Sequence, residues 1–216
     1  KKLTLLLVLF AGLNLQEIIA QVQGPEDSLS GFWKGQWISH PDVSRQDYAV
    51  FHFRRTFELA SVPADASIFV SGDNRYRLMV NGQWVGEGPT RGDLLHWNYE
   101  TYPLAALEPG KNVIAAVVWN FGEQRPVFQQ SLQTAFICQV KGLPAELNTG
   151  APGWKVLHNT AYQAETAFLS KLRAYFVVGP GERLNGQQYP WGWDSPSFDD
   201  RSWLPARNIA RGQQQT

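Results

Sequence analysis

Before residue 145 the sequence is a series of about seven short β-type segments separated by turn residues, without a convincing amphipathic helix. The first strong segment is Tyr48–Leu59. In it Phe51, Phe53, Phe57 and Leu59 lie on one side of a period-2 pattern, and polar residues lie on the other side. Segments of this length and alternation can bury their apolar faces only against other strands, so the chain is constrained to an all-β fold.

A hairpin is predicted where Arg75–Val80 and Gln83–Val85 are separated by Asn81-Gly82. Both turn residues tolerate the positive φ angles of a type I′ turn. A later segment, Asn112–Trp119, is apolar on both faces, which is typical of a central strand that is covered on both sides. Because crossover helices are missing, we expect an antiparallel β-sandwich or jelly roll and not a parallel α/β fold.

Turn-rich stretches divide the chain into predicted domains. The β-sandwich is expected over residues 37–143, and a Gly/Pro/Asn/Thr-rich linker over residues 144–153. Residues 154–216 contain an aromatic, proline-rich run but no apolar closing strand, so we expect a truncated, partial second β-rich unit there.

The first 20 residues have the order of a secretory signal. Lys1 and Lys2 precede the apolar run Leu3–Leu15, which is too short to span a bilayer comfortably, and Ala20 offers a cleavage point. This predicts a signal peptide over residues 1–20, followed by a linker over residues 21–36. We therefore expect a periplasmic or extracellular protein with no membrane attachment after cleavage. An uncleaved anchor and a buried N-terminal helix are the alternatives.

Composition excludes some functions. Lys plus Arg and Asp plus Glu number 19 each, so the chain has no basic surface of the kind that binds nucleic acid. Cys138 is the single cysteine, so no internal disulfide is possible, and its apolar surroundings predict a small buried side chain. Aromatic residues make up 13% of the chain, including nine Trp, which must be core residues or binding platforms.

Catalytic motifs are missing from the sequence. It has no G-x-S-x-G elbow, no phosphate-binding loop and no zinc-ligand spacing among its four histidines. A glycosidase needs two carboxylates that face one sugar bond, but the acids here are scattered over turns and strand ends. The adjacent pair Asp199-Asp200 is interpreted as a turn or a helix cap. We therefore predict no catalytic residue, no metal site and no cofactor.

The segment from residue 84 to residue 102 is the most suggestive surface, because aromatic and polar side chains are close together there. Aromatic faces stack on the C–H patches of sugars, and Arg, Asp and Asn bind the hydroxyl groups. The alternative is that the aromatic rings fold back and close one end of the sandwich. The carbohydrate-contact candidates are Trp84, Arg91, Asp93, His96, Trp97 and Tyr99.

An ordered set of segments carries a family resemblance. The segments are Gln36–Ser39, Phe51–Phe57, Tyr76–Gly82, Gly86–Pro89, His96–Thr101, Leu107–Ile114 and Phe198–Trp203. With this set the chain resembles the N-terminal part of bacterial α-L-rhamnosidases of glycoside hydrolase family 78, over about residues 33 to 210. Several of the segments also occur in galactose-binding-like sandwiches of other glycosidases, so the order is more telling than any one segment.

The resemblance implies a function for the parent protein more than for this chain. The family has several β-sandwiches followed by an (α/α)6 barrel, which holds the catalytic acids and is not present in these residues. The chain alone is then a non-catalytic module, structural or weakly carbohydrate-binding, of an exported α-L-rhamnosidase-like glycoside hydrolase. The implied partners are a rhamnose-containing glycan and the C-terminal catalytic domain. The alternatives are a free-standing secreted lectin-like module and a purely structural sandwich that packs on a catalytic barrel.

Overall fold

A computed structural model describes residues 33–167, 171 and 177–212. Strands dominate it, with two single-turn 3-10 helices at Gly122–Gln124 and Ala145–Leu147. The strands are, in chain order, β1 (Gln36–Ser39), β2 (Tyr48–Leu59), β3 (Ser67–Asp73), β4 (Arg75–Val80), β5 (Gln83–Gly88), β6 (Glu100–Pro103), β7 (Gly110–Phe121), β8 (Ala135–Lys141), β9 (Lys155–His158), β10 (Tyr162–Glu165), β11 (Gly181–Leu184), β12 (Leu204–Pro205) and β13 (Arg207–Arg211).

Two antiparallel sheets form the predicted β-sandwich. The five-stranded sheet has the order β13-β1-β8-β3-β6, and the six-stranded sheet has the order β12-β9-β2-β7-β4-β5. Strands β10 and β11 pair separately. The long strands β2 and β7 pair along their whole length, from Tyr48 opposite Phe121 to Leu59 opposite Gly110. The all-β, antiparallel fold class predicted from the sequence is confirmed.

The core lies between the two sheets. Alternation in β2 directs Phe51 and Phe53 into it, and the Phe53 ring stacks on Phe136 of β8 at 5.5 Å. Cys138 is fully buried in the same core, as its apolar surroundings predicted. Burial raises the pKa of the Cys138 thiol, so it is a small apolar side chain here and not a reactive one.

The predicted hairpin joins β4 to β5. Asn81 and Gly82 both have positive φ angles, 51° and 77°, as a type I′ turn requires. The Asn81 side chain has a second role, because its Oδ1 accepts a hydrogen bond from Val113 N at 2.8 Å. The turn is thereby tied to β7, the central strand of the six-stranded sheet.

The stretch that was predicted to be a linker, residues 144–153, is docked on β8. Asn148 Oδ1 accepts from Val140 N at 2.9 Å, and Thr149 Oγ1 accepts from Cys138 N at 3.0 Å. Strand β1 reaches β8 only at Phe136, so these two side chains satisfy backbone groups of β8 that no strand reaches on that side.

The described residues after 153, where a partial second unit was predicted, add strands to both sheets. Strand β9 pairs with β2, and β12 pairs with β9, so both extend the six-stranded sheet. Strand β13 pairs with β1 at the edge of the five-stranded sheet. Residues expected to form an incomplete unit therefore complete both sheets of one sandwich. The predicted signal peptide at residues 1–20 lies outside the described residues, as does most of the linker at 21–36.

The outer face of the six-stranded sheet is covered by the segment from Tyr189 to Trp203. Trp193 and Trp203 are buried there, and they pack with Met79, Val113 and Ala115. His52 and Arg54 of β2, which point away from the main core, are thus buried as well. No helix among the described residues is long and apolar enough to cross a bilayer.

Candidate functional site

A pocket of about 400 Å³ lies on the outer face of the five-stranded sheet. Its floor consists of strand residues that point away from the core, and the segment 94–99 and residues 132–133 form its walls. The lining residues are Trp33, Trp37, Asp73, Leu94, Leu95, His96, Trp97, Asn98, Tyr99, Leu132, Gln133, Ala135, Ala210 and Arg211.

Two edge-to-face ring pairs build the aromatic wall. Trp37 meets Trp97 with ring centroids 5.9 Å apart, and Trp33 meets Tyr99 at 5.7 Å. Tyr99 also meets Phe69 of β3 at 6.1 Å. Such pairs stabilise each other beyond the area they bury, so the rings are held in place before any ligand arrives.

Hydrogen bonds within the loop between β5 and β6 position its polar residues. Asp93 Oδ1 accepts from the backbone N–H groups of Leu95 and His96, each at 2.8 Å, and contacts His96 Nδ1 at 2.9 Å. The hydrogen bond from His96 lowers the pKa of the Asp93 carboxyl. Asn98 Nδ2 donates to Thr90 O and to Arg91 O, which closes the base of the loop.

Asp73 is the acid at the floor of the pocket, at the end of β3. Its Oδ2 accepts from Leu132 N at 2.8 Å and from Gln133 N at 2.9 Å, so it holds the opposite wall in place. Burial raises the pKa of Asp73, and hydrogen bonds from Ser131, Gln133 and Leu132 oppose that shift.

The structure separates the predicted carbohydrate contacts into three groups. His96, Trp97 and Tyr99 line the pocket. Arg91 and Asp93 line a much smaller neighbouring cavity of about 20 Å³, which shares Trp97. Trp84 lies elsewhere, on β5, with 65% of its surface exposed.

Sequence reasoning missed most of the lining residues, and among them are the aromatic and charged residues Trp33, Trp37, Asp73 and Arg211. For Trp37 a signal was available, because Ile38 is a core residue and its neighbour must point to the other face. The approach of Arg211 depends on the pairing of β13 with β1, across about 170 residues of sequence, and no local pattern predicts that pairing.

The acids and histidines do not form a metal centre in the described part of the chain, where no group of three or more His, Cys, Asp or Glu side chains could hold an ion. Asp73 is the single carboxylate among the described residues that line the pocket. The pair Asp199-Asp200 is engaged in ion pairs. Asp199 binds Arg201 in a turn, and Asp200 binds Arg54 and Lys155.

The chain is similar in sequence to segments of two curated proteins, both named alpha-L-rhamnosidase. One, from Streptomyces avermitilis, is 25% identical over 160 aligned positions, and the match covers 66% of this chain and 14% of that protein. The other, from Formosa agariphila, is 21% identical over 192 aligned positions, and the match covers 79% of this chain and 20% of that protein. The chain thus spans between a seventh and a fifth of the length of these relatives. No protein-family profile matches it.

Solved structures show the same similarity in three dimensions. The family GH78 rhamnosidase of Bacillus sp. GL1 superposes with a TM-score of 0.71 and 26% identity, over 83% of this chain and 19% of that one. The Aspergillus terreus alpha-L-rhamnosidase has the same fold, with a TM-score of 0.61 and 16% identity, over 82% of this chain and 21% of that one.

Fold and sequence together define the class as a β-sandwich domain of the kind found in alpha-L-rhamnosidases. This chain is similar to a small part of such enzymes, so the resemblance predicted from its ordered segments is confirmed.

Proposed function

We propose that this chain is a non-catalytic module of a larger, exported glycoside hydrolase of the alpha-L-rhamnosidase type, and that it contacts carbohydrate weakly through the pocket beside Trp97. Export by residues 1–20 and catalysis by the remainder of the parent protein belong to the same proposal. The small share of each relative that the chain spans supports the role of a module.

The non-catalytic role is supported by the number of carboxylates that line the pocket. Hydrolysis of a glycosidic bond requires an acid and a second carboxylate on the two sides of that bond. Asp73 is the single carboxylate among the described residues that line the pocket. Its Oδ2 already accepts hydrogen bonds from the backbone N–H groups of Leu132 and Gln133.

The observation that carries the carbohydrate contact is the composition of this pocket. Trp37, Trp97 and Tyr99 provide aromatic surface, and Asn98 and Gln133 provide amide groups beside it. A sugar ring needs both kinds of surface, because its C–H face is apolar and its edge carries hydroxyl groups.

Binding at this site is expected to be weak. Two rings that each bury roughly 100 Å² contribute about 5 kcal/mol at ~25 cal/mol per Å². The loss of translational and rotational freedom costs about 4 kcal/mol or more. The two rings alone therefore leave ~1 kcal/mol, which corresponds to a dissociation constant on the order of 0.1 M. Hydrogen bonds to the sugar hydroxyl groups, at about 1 kcal/mol each, move it towards the millimolar range, which suits a module whose parent also binds the substrate elsewhere.

The second candidate function is purely structural. It is favoured by the edge-to-face contacts of Trp97 with Trp37 and of Tyr99 with Trp33, in which the rings already pack on the sandwich. In that case the aromatic wall stabilises the fold and the pocket has no ligand.

Titration with L-rhamnose distinguishes these functions. We expect millimolar binding by the wild type in NMR chemical-shift titrations, and loss of binding in Trp97→Ala because one stacking surface is removed. Trp84→Ala is the matched control, since that Trp is exposed on β5 and outside the pocket. Equal binding by Trp97→Ala and wild type, or no binding by wild type, would contradict the carbohydrate contact. The same preparation is expected to release no phenol from an aryl α-L-rhamnoside, and turnover would contradict the non-catalytic role.

A further inference from the structure

A second aromatic surface lies on the opposite side of the sandwich, at Trp191. This ring has 69% of its surface exposed. Its indole Nε1 donates to Gly186 O at 2.8 Å, and its ring centroid is 4.6 Å from that of Tyr189. Because the only polar atom of the ring is already hydrogen-bonded within the loop, Trp191 offers solvent an apolar face.

Trp191 packs on Tyr189, which is hydrogen-bonded to the buried residue Trp193. The Tyr189 hydroxyl accepts a hydrogen bond from Trp193 Nε1 at 3.0 Å, and Trp193 is buried against the His52 ring at 4.1 Å. The position of the Trp191 ring is therefore fixed before a ligand stacks on it, so the binding free energy is not reduced by the cost of ordering this side chain.

An open groove of about 460 Å³ lies on the same face of the six-stranded sheet. Arg75, Arg77, Glu87 and Trp119 line it. Arg77 pairs with Glu87 at 3.4 Å while more than half of each side chain stays exposed, and Arg75 donates to Pro89 O at 2.9 Å.

The groove and the Trp191 platform are neighbours through Tyr189. Arg77 of the groove pairs with Val117 of β7, and Val117 pairs with His52 of β2, so these side chains form one row across this face of the sheet. The Tyr189 ring, which supports Trp191, lies 5.8 Å from the His52 ring at the end of that row. Trp119 is the direct partner of Arg75 across β4 and β7, which places it further along the same groove.

We propose that this groove, with Trp191 at one end, is a second glycan-contact surface that takes an extended polysaccharide chain. Trp191 stacks on the C–H face of one sugar, and the Arg77–Glu87 pair supplies donors and acceptors for the hydroxyl groups of the next sugars. The surface is independent of the pocket beside Trp97, which lies on the other sheet.

The chemistry of the groove favours a glycan over other ligands. Two arginines against one glutamate leave too little positive charge for a nucleic-acid backbone. The apolar core of a protein–protein interface is depleted in charged residues, whereas here an exposed ion pair occupies the groove. A neutral, hydroxyl-rich chain can hydrogen-bond with the Arg77–Glu87 pair and stack on the exposed Trp191 ring.

Affinity electrophoresis tests this surface with the full chain in native gels that contain xyloglucan, a neutral polysaccharide. We expect the polysaccharide to retard the wild type, and Trp191→Ala to weaken retention by up to roughly 70-fold, as loss of one stacked ring that buries roughly 100 Å² implies. Glu87→Gln is expected to weaken retention by a smaller factor. The matched control is Phe128→Ala, an aromatic ring 56% exposed on a different loop, which should migrate like the wild type.

Two results overturn the second surface: a wild type that is not retarded, or a Trp191→Ala variant retained as strongly as the wild type. Thermal unfolding of each variant verifies that it is folded. Trp97→Ala separates the two sites, because it should lose binding of L-rhamnose and keep retention by the polysaccharide. Loss of rhamnose binding in Trp191→Ala, with retention unchanged, would also contradict the assignment.

Discussion

At the scale of single residues, His52 and Arg54 show what the alternation of β2 does and does not decide. Both point away from the core that contains Phe51 and Phe53, and both are nevertheless fully buried. Arg54 Nε binds Asp200 Oδ2 at 3.0 Å, its Nη1 donates to Trp193 O, and its guanidinium lies 5.1 Å from the Phe198 ring centroid. Alternation sets the side of a strand on which a residue lies, and the rest of the chain sets whether that side meets water.

The burial of His52 predicts a pH dependence of stability. Burial lowers its pKa from 6.5 to about 3, so between these values the unfolded chain binds a proton that the folded chain does not. The free energy of unfolding should therefore fall as pH drops below about 6.5, by up to ~1.4 kcal/mol per pH unit.

Urea unfolding at pH 7 and pH 5 measures this effect. His52→Gln keeps an acceptor for the Asn159 side chain, which lies 3.0 Å from His52 Nε2, and should show a smaller loss of stability at pH 5 than wild type. His96→Gln, at a position where 71% of the side chain is exposed, is the control for the loss of a histidine as such. The same loss in His52→Gln as in wild type would show that His52 does not carry the proton linkage.

At the scale of elements, side chains form hydrogen bonds with strand backbone groups that no neighbouring strand reaches. The turn at Asn81-Gly82 follows from local chemistry, because both residues accept positive φ angles. The stretch around Asn148 and Thr149 has a turn-like composition too, yet it docks on β8 and its side chains bond the strand's backbone. Composition alone cannot distinguish a free linker from a docked one, because polar side chains can bond either water or a strand.

Substitutions at Thr149 test whether its side chain holds residues 144–153 on β8. Its Oγ1 accepts from Cys138 N at 3.0 Å and donates to Cys138 O at 3.1 Å, and all of these atoms are buried. Thr149→Ala leaves the buried Cys138 N without its partner, while Cys138 O keeps the hydrogen bond from Thr149 N, and the substitution should lower the free energy of unfolding by about 1–3 kcal/mol. Thr149→Ser retains the hydroxyl and should lose less. Equal stability of Thr149→Ala and wild type in urea unfolding would show that the stretch is not held by this residue.

At the scale of the whole molecule, residues after 153 decide whether the sandwich is complete. They provide β9 and β12 to one sheet, β13 to the other, and the cover over His52 and Arg54. They also bring Ala210 and Arg211 to the pocket beside Trp97. A chain that ends at Gly153 therefore exposes the buried His52 and Arg54 side chains, and it loses β9 and β12 from one sheet and β13 from the other.

Truncation is expected to abolish cooperative folding. A chain that ends at Gly153 should lack a cooperative urea transition and near-UV circular dichroism, since Arg54 loses its acceptors at Asp200, Trp193 and Ser195. A chain that ends at Gly212 retains every described strand and should unfold like the wild type. A cooperative transition in the shorter chain would restore the two-unit organisation that the sequence predicted.

The sequence by itself determined the all-β class, the alternation of β2, the hairpin turn at Asn81-Gly82 and the resemblance to alpha-L-rhamnosidases. These features depend on residues that are near one another in the chain, where steric preferences and periodicity act directly. Only the tertiary structure decided that β9, β12 and β13 join the sandwich, that His52 and Arg54 are buried, and that Trp37 and Arg211 meet Trp97 around one pocket. Those outcomes depend on pairings across roughly 50 to 175 residues, and local sequence patterns do not indicate which distant strand becomes the neighbour.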